Sequence, residues 1–383
     1  MKKKKVLLDG QHLFNGGSEN ILKNVAIFLS QKDEGNRYDV TIAAYPDKTQ
    51  DFHSVFPSNI HFVRRELIKK SCARYSLRWC VETLIGKLYS LVISLYLQTK
   101  HYDISISFLT GKVMKRNSHL HARHKYCWVQ RDYRDFHPWG KKYAFHTPEE
   151  ELRCMRKYEK IVCVSESARV GILSTMGNPG NLVVKYNPID YALIRKMSME
   201  TCAMRKQADR FLIVTIGRLH PEKQLLLLLQ LSKSLSSVRD LEVWIVGEGG
   251  ERDQLEAFIE KEDIPFVRLL GYQSNPFTYL RQADLYVSCS SSEAYGLSVQ
   301  EALILNVPVV AIQCSGIEES LESRFGVLVP NDYDSMYTAI KEILENPNSL
   351  EEYRNNIATS YSVSGLFENR LESICELWEQ TEK

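Results

Sequence analysis

Residues 283–308 read ADLYVSCSSSEAYGLSVQEALILNVP. A short β-type run at 285–288 leads into the polar, glycine-punctuated segment 290–296, an apolar-periodic helix starts near Leu297, and Val307-Pro308 opens the next strand. Glu293 falls on the loop before the helix and Glu301 within its first turns, eight positions on. Carboxylates so placed can grip two ends of one elongated polar ligand. The free N–H groups between them, with the helix dipole behind, suit an anion. The stretch therefore asks for hydroxyls at both ends of the ligand and phosphate in the middle.

Working back along the chain, residues 211–216 read as a strand followed directly by Gly217-Arg218 and, after Leu219-His220-Pro221-Glu222, by Lys223 and a Leu-rich helix over 224–235. Two fixed cations at a strand-to-helix turn can neutralise a diphosphate without metal. A lone Arg and Lys are more often solvated loop charges. Their place two βα units before Glu293 and Glu301, in the same sheet, tips the reading toward function. Strands at 241–246 and 266–270, the loop 247–250, strands at 308–312 and 327–330, and helices over 334–344, 350–361 and 366–380 complete a β/α alternation. Gly365 breaks the chain before the last, amphipathic helix, and residues 196–210 are polar enough for a linker.

The first half repeats the pattern. Strands read at 5–9, 39–45, 61–63, 103–108, 126–130, 160–165 and 183–186. Gly16-Gly17 before a helix permits close backbone approach to phosphate, although an isolated pair more often marks a tight turn. Thr110, Gln130, Arg131 and Asp132 lie just past the carboxyl ends of two strands, where open α/β sheets place ligands, and are candidates for the acceptor side. Each is equally compatible with a turn or surface role.

The chain has 383 residues, enough for two domains, and a net charge of +2. That balance divides into +13 over residues 1–190 and −11 over the remainder, so only the first half suits an anionic partner. Residues 64–100 hold eight Lys or Arg against two Glu, with basic residues bracketing apolar ones at helical spacing. For residues 64–87 this fits helices on an anionic membrane face slightly better than an ordinary surface helix packed on the sheet; residues 88–97 read as such an ordinary helix. No nucleic-acid-binding pattern accompanies the charge. Nine scattered cysteines without a C-x-x-C pair indicate neither zinc nor a disulfide framework, as in a reduced, intracellular protein. The lysine-rich start resembles a signal peptide, but Asp9 and Gln11-His12 cut its apolar run short. With no run long enough to span a bilayer, the expectation is a cytoplasmic protein, peripheral on the inner membrane face.

Taken in order, Gly16-Gly17-Ser18-Glu19, Val164-Ser165-Glu166-Ser167, Asn187-Pro188-Ile189-Asp190, Gly217-Arg218 with Lys223, Val246-Gly247-Glu248-Gly249, Leu270-Gly271 and Glu293-Ala294-Tyr295-Gly296-Leu297 through Glu301-Ala302 resemble the retaining glycosyltransferases of family 4. The resemblance implies the GT-B fold, an α/β architecture of two Rossmann-like domains with a donor cleft between them. The acceptor domain would span 1–190 plus the C-terminal helix 365–383, crossing back, and the donor domain 191–364. It implies transfer from a nucleotide-diphosphate sugar, with UDP-sugar the expectation, to a lipid-linked or cell-surface glycan, with no metal and no cofactor. Arg218 and Lys223 would bind the diphosphate, Glu293 the transferred sugar, Ala294, Tyr295, Gly296 and Leu297 the sugar and phosphate through their backbone, Glu301 the ribose and Leu270 the base. Gly16 and Gly17 would close over the phosphate. Arg218, Lys223 and Glu293 are the implied catalytic set. Family members commonly carry His where Gln130 stands, and close relatives an acidic residue at Thr110; Gln cannot exchange protons, so no catalytic base is assigned. A non-catalytic GT-B partner or nucleotide-sugar-binding subunit is the alternative, and a dehydrogenase is disfavoured because no G-x-G-x-x-G follows the first strand.

Overall fold

The computed structural model describes residues 2–10, 16–45, 52–65, 77–135, 137–361 and 365–379. They form two compact units, residues 1–189 with 368–383, and residues 190–367.

The first unit runs β1 (Lys4–Asp9), α1 (Gly17–Gln31), β2 (Tyr38–Ala44), α2 (Phe52–Val55), β3 (Ile60–Arg64), α3 (Leu77–Thr99), β4 (Tyr102–Ser107), α4 (Lys112–Asn117), β5 (Ala122–Val129), α5 (Pro148–Met155), β6 (Lys160–Cys163), α6 (Glu166–Thr175) and β7 (Leu182–Val184). Its sheet has the order β3-β2-β1-β4-β5-β6-β7, and every pairing is parallel. Val6, Leu7 and Leu8 of β1 and Tyr126 to Val129 of β5 are fully buried. Such continuous apolar runs are what a parallel sheet covered on both faces requires.

The second unit runs α7 (Tyr191–Ser198), β8 (Phe211–Ile216), a 3₁₀ turn at Pro221–Lys223, α8 (Leu225–Leu235), β9 (Leu241–Val246), α9 (Arg252–Lys261), β10 (Val267–Gly271), α10 (Phe277–Leu280), β11 (Leu285–Ser288), α11 (Leu297–Ile304), β12 (Val309–Ile312), α12 (Ser315–Glu318), β13 (Gly326–Val329), α13 (Tyr333–Glu345) and α14 (Pro347–Ser360). Its sheet is also all-parallel, in the order β10-β9-β8-β11-β12-β13. The order reverses at β8, beside β11, so the carboxyl ends of these two strands form the switch point where such sheets take ligands.

Local chemistry explains where the helices begin. Thr147 accepts from the Glu150 N–H with Pro148 in the first turn of α5, Ser165 accepts from Ala168 in α6, and Asp190 and Asp332 cap α7 and α13 in the same way. Residues 196–210 are not all linker, because α7 extends to Ser198. In α15 (Leu366–Glu379), residues from Glu368 onward belong to the first unit. There Trp378, 1% exposed, donates from Nε1 to the Tyr38 hydroxyl at 3.0 Å, and Tyr126 donates to the Leu377 carbonyl at 3.1 Å.

The reading of residues 88–97 as a helix packed down on the sheet requires correction. Leu97 is buried and Ile93 packs beside it, but Leu88, Leu91, Val92, Leu95 and Tyr96 are exposed, as are Val81, Leu84 and Ile85. These positions follow helical spacing along one side of α3. The opposite side, with Glu82, Thr83, Tyr89, Ser90 and Ser94 half-buried, contributes Ile93 and Leu97 to the apolar core beside the sheet. Residues 66–76 of the predicted basic segment lie outside the described residues.

Candidate donor site in the second unit

The strand-to-helix connection after β8 is built tightly. Pro221 starts the 3₁₀ turn and Gln224 then adopts a left-handed conformation (φ 47°), a strained choice for a residue with a side chain. The turn brings Lys223 back over the strand end, where its Nζ lies 2.5 Å from Glu293 Oε1. Both side chains are less than one-fifth exposed, which makes this a half-buried pair rather than a surface one. The Ser291 N–H donates to the Glu222 carbonyl at 2.9 Å and fastens the same two loops a second time. Arg218 is different: its guanidinium is 67% exposed and touches Glu222 at 3.3 Å. Its side chain is open to solvent, where an anion can reach it. Beneath these groups a small cavity is lined by Gly217, Arg218, Lys223, Tyr286 and Ser290 among others.

Gly296 starts α11 in the left-handed region (φ 63°), which glycine adopts without steric cost, and no side chain caps the N–H groups that follow. Tyr295 and Gly296 are buried, whereas Ala294 and Leu297 are half-buried. One turn further on, the Glu301 side chain makes no hydrogen bond or ion pair with any described residue, and burial pushes its carboxyl up to about 8. A lone carboxyl group in that setting is suited to pairing with ligand hydroxyls. Leu270 lies at an irregularity in β10, between the ladder partners Leu269 and Gly271, and its carbonyl accepts from Gln273 Nε2 at 2.7 Å. The bulge frees its backbone from regular pairing.

Two glycine contacts make the loops fit. A Cβ on Gly247 would lie 1.8 Å from the Gly217 carbonyl oxygen, so only glycine allows the loop after β9 to close on the loop after β8. Gly316, at the start of α12, donates to the Glu293 carbonyl at 3.0 Å, and a Cβ there would fall 2.3 Å from that oxygen. Sequence reasoning missed Gly316. Its signal was present, since a glycine follows the strand 308–312 just where the other βα loops place theirs.

The predicted residues of the first unit behave otherwise. Gly16 and Gly17 start α1, and the Glu19 carboxylate folds back to within 2.5 Å of where a Gly16 Cβ would lie. Thr110 is buried and hydrogen-bonds Tyr133. Gln130 Oε1 accepts from Asn187 Nδ2 at 3.2 Å, while its Nε2 is buried without a partner among the described residues. Arg131 is half-buried. Asp132 is 1% exposed and both its oxygens are engaged, Oδ1 by the Arg134 backbone N–H at 2.9 Å and Oδ2 by Arg134 at 2.7 Å and Ser167 at 3.1 Å. A carboxylate so saturated holds α6 in place rather than meeting an acceptor. Sequence reasoning also missed Glu151, whose buried carboxyl accepts from Tyr133 at 2.8 Å and Trp139 at 2.9 Å beneath the same loops, with burial raising its pKa. Among the described residues no three His, Cys, Asp or Glu side chains cluster to hold a metal.

Two parallel-sheet α/β units of this kind define the GT-B fold. Anabaena Alr3699/HepE in complex with UDP and glucose matches with a TM-score of 0.71 over 97% of this chain and 98% of that one, at 17% identity. Sucrose-phosphate synthase from Thermosynechococcus elongatus matches at 0.75 over 99% of each, at 14% identity. Residues 203–360, within the second unit, match the family described as Glycosyl transferases group 1. In sequence the chain is similar to the Campylobacter jejuni N-acetylgalactosamine-N,N'-diacetylbacillosaminyl-diphospho-undecaprenol 4-alpha-N-acetylgalactosaminyltransferase, 31% identical over 48% of this chain and 49% of that protein. It is also similar to the Staphylococcus aureus poly(ribitol-phosphate) alpha-N-acetylglucosaminyltransferase, 30% identical over 41% and 34% respectively. The chain thus spans about half the length, or less, of these curated relatives.

Proposed function

We propose that this protein is a retaining, metal-independent glycosyltransferase that moves a sugar from a UDP-sugar to a lipid-linked or cell-surface glycan at the cytoplasmic face of the membrane. The observation that carries the reading is the Lys223–Glu293 pair at the switch point, one turn of helix away from the unpartnered carboxyl of Glu301. Lys223 and Arg218 supply two cations for the diphosphate, and their charge meets the negative charge that grows as the glycosidic bond breaks. Glu293 then accepts from sugar hydroxyls and Glu301 from the ribose. The UDP in the Anabaena neighbour supports the choice of base, and the names of the curated relatives support a lipid-linked or polymeric acceptor.

In the transfer, the bond between C1 and the phosphate oxygen breaks with its electron pair leaving on the diphosphate. The acceptor hydroxyl oxygen bonds C1 on the same face, and its proton passes to the departing phosphate. Gln130 cannot exchange a proton and its oxygen is taken by Asn187, which favours this route over a side-chain base. Calorimetry with UDP-sugars tests the site: Glu301→Ala is expected to lose most affinity, and unchanged binding sinks the assignment. Tight binding with no turnover or hydrolysis of any nucleotide-sugar moves the reading to a non-catalytic subunit.

The exposed apolar side of α3 supports membrane attachment. Leu84 and Leu88 are 69% and 61% exposed, and Lys87 in α3 and Lys100 just past its end are exposed, as is Arg64 at the end of β3. Apolar side chains set among cations suit an anionic bilayer surface. No described helix is long and apolar enough to cross a membrane. Leu88→Glu is expected to abolish sedimentation with anionic vesicles at unchanged melting temperature; a wild type that ignores such vesicles refutes the attachment.

A further inference from the structure

The carboxyl edge of the first unit's sheet contains a charge cluster that the donor site does not use. Asp9 ends β1 and is fully buried. Arg65 follows β3, and its Nη2 lies 2.8 Å from Asp9 Oδ2. Arg116, from α4, reaches the other oxygen, Nη2 to Oδ1 at 2.7 Å, and hydrogen-bonds Tyr45 just past β2. The ends of three adjacent strands, β3, β2 and β1, and the helix α4 that follows β4 thus send charged or polar groups to one point.

The cluster is not electrically closed. Among the described residues two guanidinium groups share one carboxylate, an excess of one positive charge. The Arg65 side chain is 1% exposed, yet its Nε and Nη1 have no hydrogen-bond partner among the described residues. Those two nitrogens carry three N–H donors. Burial pulls the Arg65 guanidinium below its ordinary value, and Asp9 only partly offsets this. A guanidinium stays protonated in proteins, so the cost cannot be relieved by losing the proton. Buried donors without acceptors are rare and costly, and an anion drawn to the site is one of the explanations such an exception calls for. The Arg116 side chain, 18% exposed, is the member that solvent reaches.

We propose that Arg65, Arg116 and Asp9 form an anion site that takes a phosphoryl group of the acceptor, with Arg116 as the accessible ligand and Arg65 as the buried cation behind it. An oxyanion with several acceptor oxygens matches the multiple donors of a guanidinium pair. Asp9 holds the two cations apart and aims them. The carboxyl edge of an open parallel sheet is where such ligands bind. That the phosphate belongs to the acceptor rests on the transferase reading; that the cluster binds an anion does not.

The test is calorimetric titration of the full chain with inorganic pyrophosphate, carried out in an Arg218→Gln, Lys223→Gln background that removes both donor-site cations. Arg116→Gln is expected to weaken binding by roughly 10–100-fold, the worth of a charge-assisted hydrogen bond. Equal binding by the Arg116→Gln protein, or equal stabilisation by acetate at the same ionic strength, overturns the proposal. Arg116→Lys, which keeps the charge but loses the fork, is expected to recover only part of the affinity. It also guards against a folding defect in the Gln variant. A soluble short-chain alkyl diphosphate identifies the source. Tighter binding than pyrophosphate supports a lipid-linked acceptor, and weaker binding overturns the acceptor assignment while leaving donor binding, measured with UDP in the parent protein, as an independent check on the transferase reading.

Discussion

The loops at the carboxyl edges of the two sheets use carboxylates in opposite ways. In the second unit, Glu293 is held by one lysine and Glu301 by nothing among the described residues, so both keep capacity for a ligand. In the first unit, Asp132 is saturated by Arg134 and Ser167, and Glu151 by Tyr133 and Trp139. An acidic residue after a strand is therefore not a ligand group by position alone. What separates the two cases is whether neighbouring side chains have already satisfied its oxygens, since a buried carboxylate must find partners somewhere.

The sharpest way to break this contrast is to remove the lysine. Lys223→Gln is expected to lower kcat by about 10²–10³-fold, as loss of a transition-state charge contact does, with little change in melting temperature. A large fall in stability with turnover intact would place Lys223–Glu293 in the same structural class as Asp132–Arg134. The converse holds for Asp132→Ala, which strands Arg134 and Ser167. A loss of about 2–4 kcal/mol in urea unfolding is expected, moderated because the Arg134 side chain is 40% exposed, while UDP affinity stays unchanged.

The third effect concerns pH. Glu301 has a folded-state pKa of about 8 against an ordinary value of 4.5, so between those values the folded protein binds more protons than the unfolded chain. Stability should then fall as pH rises from about 4.5 through about 8 and level off above, and Glu301→Gln should flatten that slope. An identical slope in the variant means that the carboxyl group is not desolvated. The smallest effect is expected for Thr110→Val, which loses one neutral hydrogen bond to Tyr133, about 1 kcal/mol of stability, with no change in nucleotide affinity.

Much of the donor side was legible in the sequence because its logic is local. A strand, a glycine and a helix start are neighbours along the chain, so Gly296, Glu293 and Glu301 declare their arrangement within nine residues. The acceptor-side candidates were not separable in the same way. Thr110, Gln130 and Asp132 each follow a strand, but their partners Tyr133 and Asn187, from loops, and Ser167, from the first turn of α6, approach in ways no periodicity encodes.

The sequence by itself determined the alternation of strands and helices, the two parallel sheets and the acidic loop of the donor unit, because apolar periodicity, glycines and caps act over a few residues. Tertiary structure alone decided the rest. It turned Lys223 onto Glu293 seventy positions away, required glycine at position 316 through a close backbone approach, exposed the apolar side of α3, and gathered Asp9, Arg65 and Arg116 at one sheet edge. Each of these depends on which groups meet after the strands are ordered. The order β3-β2-β1-β4 is set by crossover connections and packing across the whole sheet rather than by any single stretch of chain.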